Sequence, residues 1–490
     1  MRVGKSRYDD RDAKVVTHQD MFSIQRRLGA SDNKLKEINS CVATIVGQKR
    51  MQPYLAQALV DRNRQLSDFF TLNTDCLWSK TKDKVKSKVK RPAVVSDIGP
   101  LVTFVMEYRG LDPLTAEVRM GFDLGGGWLK LMVLVTPQVD GVVEVKKKRA
   151  RFADGLQGRD HKLTSGKRCL MVAGVPNVDE DTDNVNQLLD IAEVEDLGDS
   201  PWAEDIKMQL AVVGKQGPSC KRNCPLCECF APYTCPCPLN TLGSLEVHRI
   251  NLAAALEAGG NIKTEAMKHN NCVRRHRLHG SPDTKVISIL YFPELHVLTG
   301  VISKLLTAMM ESYPQHEAEA GKEWLSKWMK KHNIQWRVDR PGTMIGYYAR
   351  KMVEHGDKLR EDARKAVDLP YISAIKTLYY GKVIVKFNAV VVACFGQELH
   401  DNYRFTIAEF ESYYRRLDTT VTTKAHMVFR HITEFLEEKG EVAGLGAYSE
   451  QAFEEFHHEC NEEFTGSGED KENYAEECLR DVVRLCSKNL

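Results

Sequence analysis

The sequence lacks the hydrophobic segments that place a chain in or across a membrane. No run of about 18 apolar residues occurs, and the longest apolar block, residues 383–395, is broken by Lys386 and Asn388. The charges near the N-terminus are not followed by the apolar segment of a secretory signal. We therefore expect no transmembrane helix and no membrane partner, and we interpret residues 383–395 as a β-strand.

The sequence also lacks a large net charge, which excludes a uniformly basic protein that coats nucleic acid. Its 69 Lys and Arg residues nearly balance its 67 Asp and Glu residues. The charges are unevenly placed, because residues 1–91 carry 20 basic and 10 acidic side chains, whereas residues 431–490 carry 5 and 16. This split is typical of a basic end that faces nucleic acid and an acidic end with another role. Two solvated faces would give the same counts.

The length and the cysteines set the remaining limits. A chain of 490 residues, 42% of them hydrophobic, has enough apolar surface for two to four domains, at roughly 100–200 residues each, and is not mainly disordered. Fourteen cysteines without a secretory signal favour a reducing compartment. In that setting clustered cysteines more often bind metal than form disulfides.

Hydrophobic periodicity predicts a mixed α/β fold. Residues 1–75 are expected to be mainly helical, and residues 80–91, in which lysine alternates with small residues, are interpreted as a linker or a phosphate-contacting arm. Three strands are predicted near residues 118–123, 129–135 and 170–175. Mostly helical segments follow, including a long one that starts near Glu294 and a final helix near the C-terminus.

An aspartate beside a glycine turn is the first candidate for chemistry. Asp123 ends the first predicted strand, and Gly125, Gly126 and Gly127 follow it. An acid with glycines behind it can approach a metal ion or a phosphate closely. A turn-forming aspartate gives the same pattern, and the pattern alone favours that simpler interpretation.

Cys224 and Cys227 form the strongest local motif, a Cys-x-x-Cys pair that offers two thiolates to one tetrahedral zinc ion. Zinc needs two more ligands. The candidates for them are Cys235 and Cys237, with Cys220 and Cys229 as further options, or the distant pair His426 and His431. Five residues on a straight α-helix turn two imidazoles about 140° apart, so the histidine pair requires a helix start or a distortion.

Two glutamates near the C-terminus are candidates for an active site. Glu450 and Glu454 are four residues apart, so on a helix they share one face and both carboxylates can enter one site. Ser449 is placed to cap such a helix. An acidic, solvated helix face would show the same spacing.

Several further motifs occur in a fixed order along the chain. These are the strand that ends at Asp123, Asp205-Ile206-Lys207 nineteen residues before Cys224, Leu295-His296 with Gly300, Gly346 to Lys351 after a Trp-rich segment, the pair His426 and His431, and Ser449 to Glu454. Together they resemble the Transib transposases and the catalytic subunit of the RAG recombinase. Transposon-derived invertebrate proteins with Ser-Glu-Gln near the final acid are similar as well. The resemblance covers roughly residues 110–465.

The resemblance implies a DDE active site on an RNase H-like fold. Asp123, Asp205 and Glu454 match the three catalytic acids, with Glu450 as a rival for the last and Asp199 as a rival for the second. The sequence departs from the family at Glu204, where family members often have glycine. Carboxylates of this kind would hold Mg²⁺ or Mn²⁺.

The same resemblance assigns the zinc ligands and a histidine, whereas the basic residues expected to contact DNA at 82–91 follow from their pattern. Cys224, Cys227, His426 and His431 match a structural zinc site, and His296 is a candidate for the active site. The expected contacts with DNA phosphates are Lys82, Lys84, Lys86, Lys88, Lys90, Arg91, Arg350 and Lys351.

We expect a fold of class α/β, with an RNase H-like mixed sheet, a large α-helical insertion and a zinc site. The expected domains are a helical DNA-binding and dimerisation region with a basic linker at 1–110, a core with the first two acids and the cysteines at 111–245, a mainly helical insertion at 246–420, and closing helices with the histidine pair, the last acid and an acidic tail at 421–490.

The expected function is DNA transposition in the nucleus: two-metal-ion strand cleavage and strand transfer at terminal inverted repeats. The expected partners are double-stranded DNA (transposon ends and target), a second copy of the chain and an accessory protein. Short basic runs, at 82–91 and at 146–149, are weak nuclear-import signals. Two alternatives remain open. One is a domesticated, catalytically inactive zinc-containing DNA-binding or interaction protein, and the other is an interaction protein built on a local six-cysteine zinc cluster.

Overall fold

A five-stranded antiparallel sheet lies at the centre of the fold, with helices packed around it. The computed structural model describes residues 16, 21, 32–46, 55–82, 84–125, 127–137, 169–179, 181–194, 198, 200–230, 233, 238–339, 341–464 and 474–489. The predicted α/β class is confirmed at this level, as a mixed fold with an antiparallel sheet and many helices.

The strands are β1 (Phe70–Asn73), β2 (Leu77–Lys82), β3 (Val85–Lys90), β4 (Ala93–Ser96), β5 (Ala116–Gly125), β6 (Trp128–Pro137) and β7 (Cys169–Pro176). The helices of the first half are α1 (Asp32–Val46), α2 (Leu55–Ser67), α3 (Ile98–Arg109), α4 (Thr182–Ile191), α5 (Ile206–Val212), α6 (Leu242–Glu257) and α7 (Ile262–Lys268). Those of the second half are α8 (Val286–Ile289), α9 (Glu294–Glu311), α10 (Ala318–Lys331), α11 (Gly346–Glu354), α12 (Gly356–Lys365), α13 (Tyr371–Cys394), α14 (Tyr403–Tyr414), α15 (Thr423–His426), a π-helical turn (Met427–His431), α16 (Ile432–Glu438), a 3₁₀ turn (Leu445–Ala447), α17 (Gln451–Phe464) and α18 (Tyr474–Lys488).

The three strands predicted from alternation are confirmed as β5, β6 and β7. β5 and β6 form a hairpin in which Asp123 lies opposite Lys130, and the turn includes Gly127 with φ of 75°. Their apolar side chains are buried, because helices cover the sheet. Strand order in the sheet is β1-β4-β7-β6-β5.

Two extended segments continue the sheet beyond β5 through isolated parallel bridges. Trp202 bridges Met120 of β5, and Leu290 in turn bridges Trp202. The Met120 amide donates to Pro201 O at 2.8 Å, and the Tyr291 amide donates to Trp202 O at 2.7 Å. The chain thus adds two parallel neighbours on the side of the sheet where β5 lies, just before α5 and α9 begin.

The prediction of a mainly helical N-terminal region followed by a linker is wrong for residues 70–96. β1 and β4 belong to the central sheet through the pairing of β4 with β7, so the sheet runs across the predicted boundary at residue 110. β2 and β3 pair as a separate two-stranded ribbon. The alternation of lysine with small residues is the period of a strand, so the segment interpreted as a linker is regular structure.

The ribbon of β2 and β3 is anchored to the rest of the protein at its base. Trp78 is fully buried, and its indole Nε1 donates to Arg91 O at 3.1 Å. The buried Asn184 side chain accepts from the Ser79 amide and donates to Ser79 O, each at 2.8 Å. These contacts hold β2 against the N-terminus of α4, while most of β3 is exposed.

The prediction of a strand at residues 383–395 is also wrong, because these residues form the second half of α13. Among the described residues, α13 is the one helix long and apolar enough to span a membrane by length and composition, but 56% of its most apolar window is buried inside the protein. It packs against α9, α12 and α14. A helix enclosed by others is apolar on most sides, so its sequence shows neither helical nor strand periodicity.

The predicted helix near the C-terminus is confirmed as α18, so the acidic residues on it belong to a packed helix and not to a tail. It packs on the central sheet, with Cys478, Val482 and Cys486 buried. The Cys486 thiol donates to Met171 O at 3.4 Å, and the Asn489 side-chain amide donates to Cys169 O at 3.1 Å.

α17, from the last part of the chain, packs against β5 at a glycine. A Cβ at Gly121 would lie 2.7 Å from the Phe453 ring, so only glycine allows this close approach. Side chains alternate along a strand, so Gly121 and Asp123 point to the same face. α17 therefore packs on the face of the sheet to which Asp123 belongs.

Replacing Gly121 with alanine should destabilise the protein by about 1–3 kcal/mol, because the added methyl overpacks the contact with Phe453. The measurement is the free energy of unfolding by chemical denaturation. Gly99→Ala is the matched control, since a Cβ at Gly99 in α3 meets no atom within 4 Å and alanine favours helix by up to about 1 kcal/mol. Equal stability of the two variants would contradict the proposed packing.

Candidate metal centre and acidic site

Four side chains from distant parts of the chain meet in a buried cluster. Cys224 Sγ lies 3.3 Å from His431 Nε2, Cys227 Sγ lies 3.3 Å from His426 Nε2, and the two Nε2 atoms are 3.1 Å apart. All four ligand atoms lie within 4.8 Å of one another. A tetrahedral zinc ion places such atoms roughly 3.3–3.8 Å apart, from Zn–N of about 2.0–2.1 Å and Zn–S of about 2.3 Å. The cluster therefore fits a zinc ion.

The predicted distortion of the histidine helix is confirmed as a π-helical turn. Residues 427–431 form this turn, and the Ile432 amide donates to Met427 O, five residues back. A π-turn adds a residue to each turn of helix, so His426 and His431 come close to the same side. On a straight α-helix their imidazoles would point apart.

Hydrogen bonds and ring stacking fix the loop that carries the cysteines against the helix that carries the histidines. Tyr233 stacks on His426 with ring centroids 4.3 Å apart, and Thr423 Oγ1 donates to Asn223 Oδ1 at 2.5 Å. His431 Nδ1 lies 2.6 Å from Glu434 Oε2. A carboxylate on the second imidazole nitrogen leaves Nε2 free to ligate a metal.

A buried lysine organises the Cys-x-x-Cys turn. Lys215 Nζ donates to Cys224 O at 2.8 Å and to Cys227 O at 3.0 Å. Burial disfavours the Cys224 thiolate, but the hydrogen bond with Cys227 and the charge of Lys215 hold the pKa of Cys224 below its usual value. The hydrogen bond to Cys224, together with burial, raises the pKa of Cys227 to about 11. Metal binding must therefore release the second thiol proton.

The local cysteines do not share this cluster in the described part of the chain. Cys220 is a free thiol whose Sγ lies 3.8 Å from Gln216 O, and Cys229 is disulfide-bonded. The disulfide departs from the expectation of fully reduced cysteines. Cys235 and Cys237 lie outside the described residues. Of the alternatives left open by the sequence, the distant histidine pair is the one that the structure brings to the Cys-x-x-Cys motif.

The two candidate aspartates lie on neighbouring segments of the extended sheet. Asp123 and Asp205 each lie three residues beyond the bridge between Met120 and Trp202. Asp205 has an extended backbone and caps α5, because its Oδ1 accepts from the Met208 amide at 2.8 Å. Neighbouring strands are about 4.8 Å apart, so the two aspartates stand side by side at the ends of adjacent segments. The rival Asp199 lies outside the described residues.

His296 joins the two candidate glutamates. Its Nδ1 lies 3.1 Å from Glu450 Oε1, and its Nε2 lies 3.5 Å from Glu454 Oε1. Glu450 is buried, whereas the Glu454 side chain is 36% exposed on the first turn of α17. The negative charges of Asp205, Glu450 and Glu454 all act on His296. The structure therefore brings both glutamates and the predicted His296 into one acidic site.

The charges in this site shift the pKa of two neighbouring groups. Burial opposes the charged form of His296, but the hydrogen bond and charge of Glu450 outweigh it and raise the pKa of His296 to about 9. Burial and the charge of Glu450 raise the pKa of Glu294 to about 7, although Arg350 pairs with Glu294 at 2.8 Å. The site holds its imidazole as a cation at neutral pH.

Two cations in the site were missed by sequence reasoning. Lys130 is fully buried, with Nζ 3.4 Å from Asp123 Oδ2. The Lys424 side chain crosses Gly300 of α9, and burial lowers the pKa of Lys424 despite the charges of Asp205 and Glu450. The two-residue hairpin turn sets Lys130 opposite Asp123, so the position of Lys130 could have been predicted from the sequence. No feature of the sequence near Lys424 predicts its position in the site.

Glu204, directly before Asp205, is a buried acid in this structure. Neither of its carboxylate oxygens has a hydrogen-bond partner among the described residues. Burial, together with the negative charge of Asp205, raises the pKa of Glu204 well above its usual value. Burial and the neighbouring aspartate therefore both favour the neutral, protonated form of this side chain.

The candidate DNA-contacting residues lie in two places. Lys82, Lys84, Lys86, Lys88 and Lys90 lie on the ribbon of β2 and β3, with Arg91 directly after it. Lys86 pairs with Asp181 at 2.6 Å. On α11, Arg350 pairs with Glu294, and Lys351 Nζ donates to Asn333 O at 3.2 Å. The basic run at 146–149 lies outside the described residues.

Zinc content should distinguish the four-residue cluster from a local cysteine site. We expect about one zinc per chain in the wild type and a loss of most of it in His426→Ala, because a tetrahedral site loses a ligand. Cys220→Ser is the matched control, and Cys235→Ala should also keep its zinc. Elemental analysis of the purified proteins measures this. Zinc that survives His426→Ala but not Cys235→Ala would contradict the assignment.

The stability of the metal-free acidic site should fall as the pH rises. The pKa of His296 is raised above its usual value of about 6.5, so its ion pair with Glu450 contributes fully below pH 6.5 and is lost through about pH 9. We expect Mg²⁺-free wild type to lose about 1–3 kcal/mol of unfolding free energy over this range relative to His296→Gln. Denaturation at both pH values and NMR titration of labelled histidine test this. A His296 resonance that titrates near 6.5 would contradict it.

No family model matches the chain, and no curated protein matches it. The cluster of two cysteines and two histidines and the neighbouring acidic site are thus identified from their own geometry and chemistry.

Proposed function

We propose that the protein is a DDE-type DNA transposase or recombinase that cuts DNA strands at terminal inverted repeats and transfers them to target DNA. One observation carries the proposal: two aspartates lie at matching positions of neighbouring sheet segments, α17 packs on β5 near one of them, and Glu450 and Glu454 at the start of α17 meet His296, in a protein that also has a buried Cys-Cys-His-His cluster. Acids on separate elements that converge in this way are the ligand set of a two-metal phosphoryl-transfer site.

The sheet arrangement supports an RNase H-like core. Three consecutive antiparallel strands, β5, β6 and β7, are followed by two parallel segments at Trp202 and Leu290, which add next to β5. An RNase H-like sheet has this order, with the first strand in the centre. The first acid would then lie on the central strand and the second on the adjacent parallel segment. The helices between Glu294 and Tyr414 would form the insertion before the last acid.

Carboxylate oxygens suit Mg²⁺ or Mn²⁺, and Asp123, Asp205 and Glu454 are the residues that would hold these ions. Bound ions would activate the attacking oxygen and stabilise the leaving oxygen of the scissile phosphate. In cleavage, a bond forms between the water oxygen and phosphorus while the bond from phosphorus to the 3′-oxygen breaks. In strand transfer, the freed 3′-hydroxyl attacks a phosphate of target DNA in the same manner.

Glu454 suits the role of the third acid better than Glu450. Glu450 Oε1 already accepts from the His296 amide at 3.2 Å and contacts the imidazole, and its carboxylate is almost fully buried. Glu454 lies one helical turn further, with over a third of its side chain exposed. A metal ion that must also reach DNA needs the accessible carboxylate. Glu450 then serves to orient His296.

The zinc that we propose for the Cys-Cys-His-His cluster is structural, because all four positions would be occupied by protein ligands. It would tie the loop after α5 to the turn before α16, across 198 intervening residues. That connection would hold the helical insertion against the core near the acidic site.

The basic ribbon of β2 and β3 supports DNA as the substrate. A two-stranded ribbon fits the major groove, and its exposed lysines match a phosphate backbone. Transposition joins two DNA ends, so a homodimer, nuclear localisation and an accessory protein belong to the proposal.

The test is metal-dependent nicking of supercoiled plasmid DNA with Mg²⁺ or Mn²⁺. We expect Asp123→Asn and Asp205→Asn to lower the rate about 10³-fold, since the ions supply several kcal/mol of transition-state stabilisation. The nicking rate of Glu454→Gln should fall as far, and that of Glu450→Gln should fall less. Asp357→Asn, an exposed acid on α12, is the matched control and should retain wild-type activity.

Two outcomes would overturn parts of the proposal. A larger loss in Glu450→Gln than in Glu454→Gln would make Glu450 the third acid. A wild-type protein that holds zinc and binds DNA but never nicks it would favour the catalytically inactive DNA-binding protein.

A further inference from the structure

The candidate site contains a cation that the three-acid scheme does not use. Lys424 lies on α15, between Thr423, which bonds to Asn223 of the cysteine loop, and His426, a member of the metal cluster. Its side chain therefore starts from a rigid turn. The two neighbouring contacts fix the point from which the flexible lysine side chain extends.

The path of the Lys424 side chain is set by Gly300. A Cβ at residue 300 would lie 2.0 Å from Lys424 Cδ and 2.8 Å from Nζ, so glycine is the residue that leaves room for the chain. Gly300 lies four residues after His296, and residues four apart share one face of a helix. The Lys424 ammonium thus lies on the same face of α9 as His296, one turn away.

The electrostatics of this position are unusual for a lysine. The Lys424 ammonium group forms no hydrogen bond or ion pair with another side chain in the part of the chain that the structure describes, although the charges of Asp205 and Glu450 act on it. By contrast, Lys130 is paired with Asp123, and His296 with Glu450. The Lys424 side chain is only partly exposed, and its ammonium group can donate to a ligand without breaking an ion pair within the protein.

Resting on the proposed function, we propose that Lys424 is a further catalytic residue, which contacts a nonbridging oxygen of the scissile DNA phosphate. The arrangement of acids around it favours a phosphate over a protein partner, because a phosphodiester held by metal-bound carboxylates brings its own negative oxygens to the ammonium. Lysine binds phosphate as a point charge, and negative charge spreads over the nonbridging oxygens in the transition state.

The ammonium group transfers no proton in this scheme. The bond from the attacking oxygen to phosphorus forms, the bond from phosphorus to the 3′-oxygen breaks, and the proton of the attacking water passes through solvent to the departing 3′-oxygen. Lys424 donates hydrogen bonds to the nonbridging oxygen throughout. Its contribution grows as that oxygen gains charge, so it should affect the rate more than binding.

Lys424→Met tests the proposal because methionine fills the space across Gly300 without the charge. We expect the nicking rate at saturating DNA to fall about 100-fold, as for loss of one oxyanion donor, with DNA affinity within about threefold of wild type and zinc content unchanged. Lys424→Arg should recover at least a tenth of the rate. Lys327→Met, which removes an exposed lysine on α10 paired with Glu323, is the matched control.

Two further measurements separate a catalytic from a merely structural role. Gly300→Ala, which pushes the side chain of Lys424 aside while favouring the helix, should lower the rate as Lys424→Met does. In the absence of DNA, Lys424→Met should bind Mn²⁺ about tenfold more tightly than wild type, because a positive charge near the carboxylates is removed.

The outcomes distinguish this proposal from the proposed function. If wild type nicks DNA and Lys424→Met is as fast, or Lys424→Arg gives no recovery, the role of Lys424 is overturned while the transposase proposal stands. If wild type nicks no DNA, both proposals fall, even where Mn²⁺ binding is tightened.

Discussion

The meeting of the Cys224 loop with the π-helical turn at residues 427–431 is the contact on which the rest of the site depends. It joins segments far apart in the sequence and fixes where α15 and α16 lie relative to α5. Lys215, Tyr233 and Glu434 all act on this one junction through hydrogen bonds or stacking. The acidic site contains residues from both of the segments that this contact joins, so the contact determines the geometry of the site.

Charge compensation is the second organising principle. The acidic site gathers four carboxylates, and without metal it is balanced by Lys130, His296 and Lys424 rather than by water alone. Glu204 is a further carboxylate next to Asp205, and its burial raises its pKa and so favours the uncharged form. A site built in this way can fold without metal ions. When metal ions bind to the carboxylates, the protein's own cations must give up their contacts with them.

The features that the sequence predicted are those with a local signature. The hairpin of β5 and β6 followed from alternation and a glycine turn, and the Cys-x-x-Cys motif followed from spacing. The histidine pair was one candidate from its spacing and was favoured by the resemblance, and its geometry on a helix already pointed to a distortion. Glu450 and Glu454 followed from their spacing, which does not distinguish their two environments.

The features that were missed depend on tertiary contacts. The apolar residues of α13 form a helix because other helices enclose them, which periodicity does not record. The lysines of β2 and β3 predict a linker, because a ribbon anchored at Trp78 and Asn184 needs no apolar face of its own. Lys424 meets Gly300 from far along the chain, so no window of sequence contains both.

The π-helical turn brings two imidazoles together and also sets the rotation of the helix that follows it relative to the helix before it. Each residue of an α-helix advances the chain by about 100°, so the one extra residue in the turn determines how α16 is rotated relative to α15. Two histidines four residues apart on an ordinary helix would still face one metal ion. In that arrangement, however, α16 and the chain beyond it would be rotated by about 100° relative to α15. The inserted residue thus determines the direction in which the chain continues after the metal cluster.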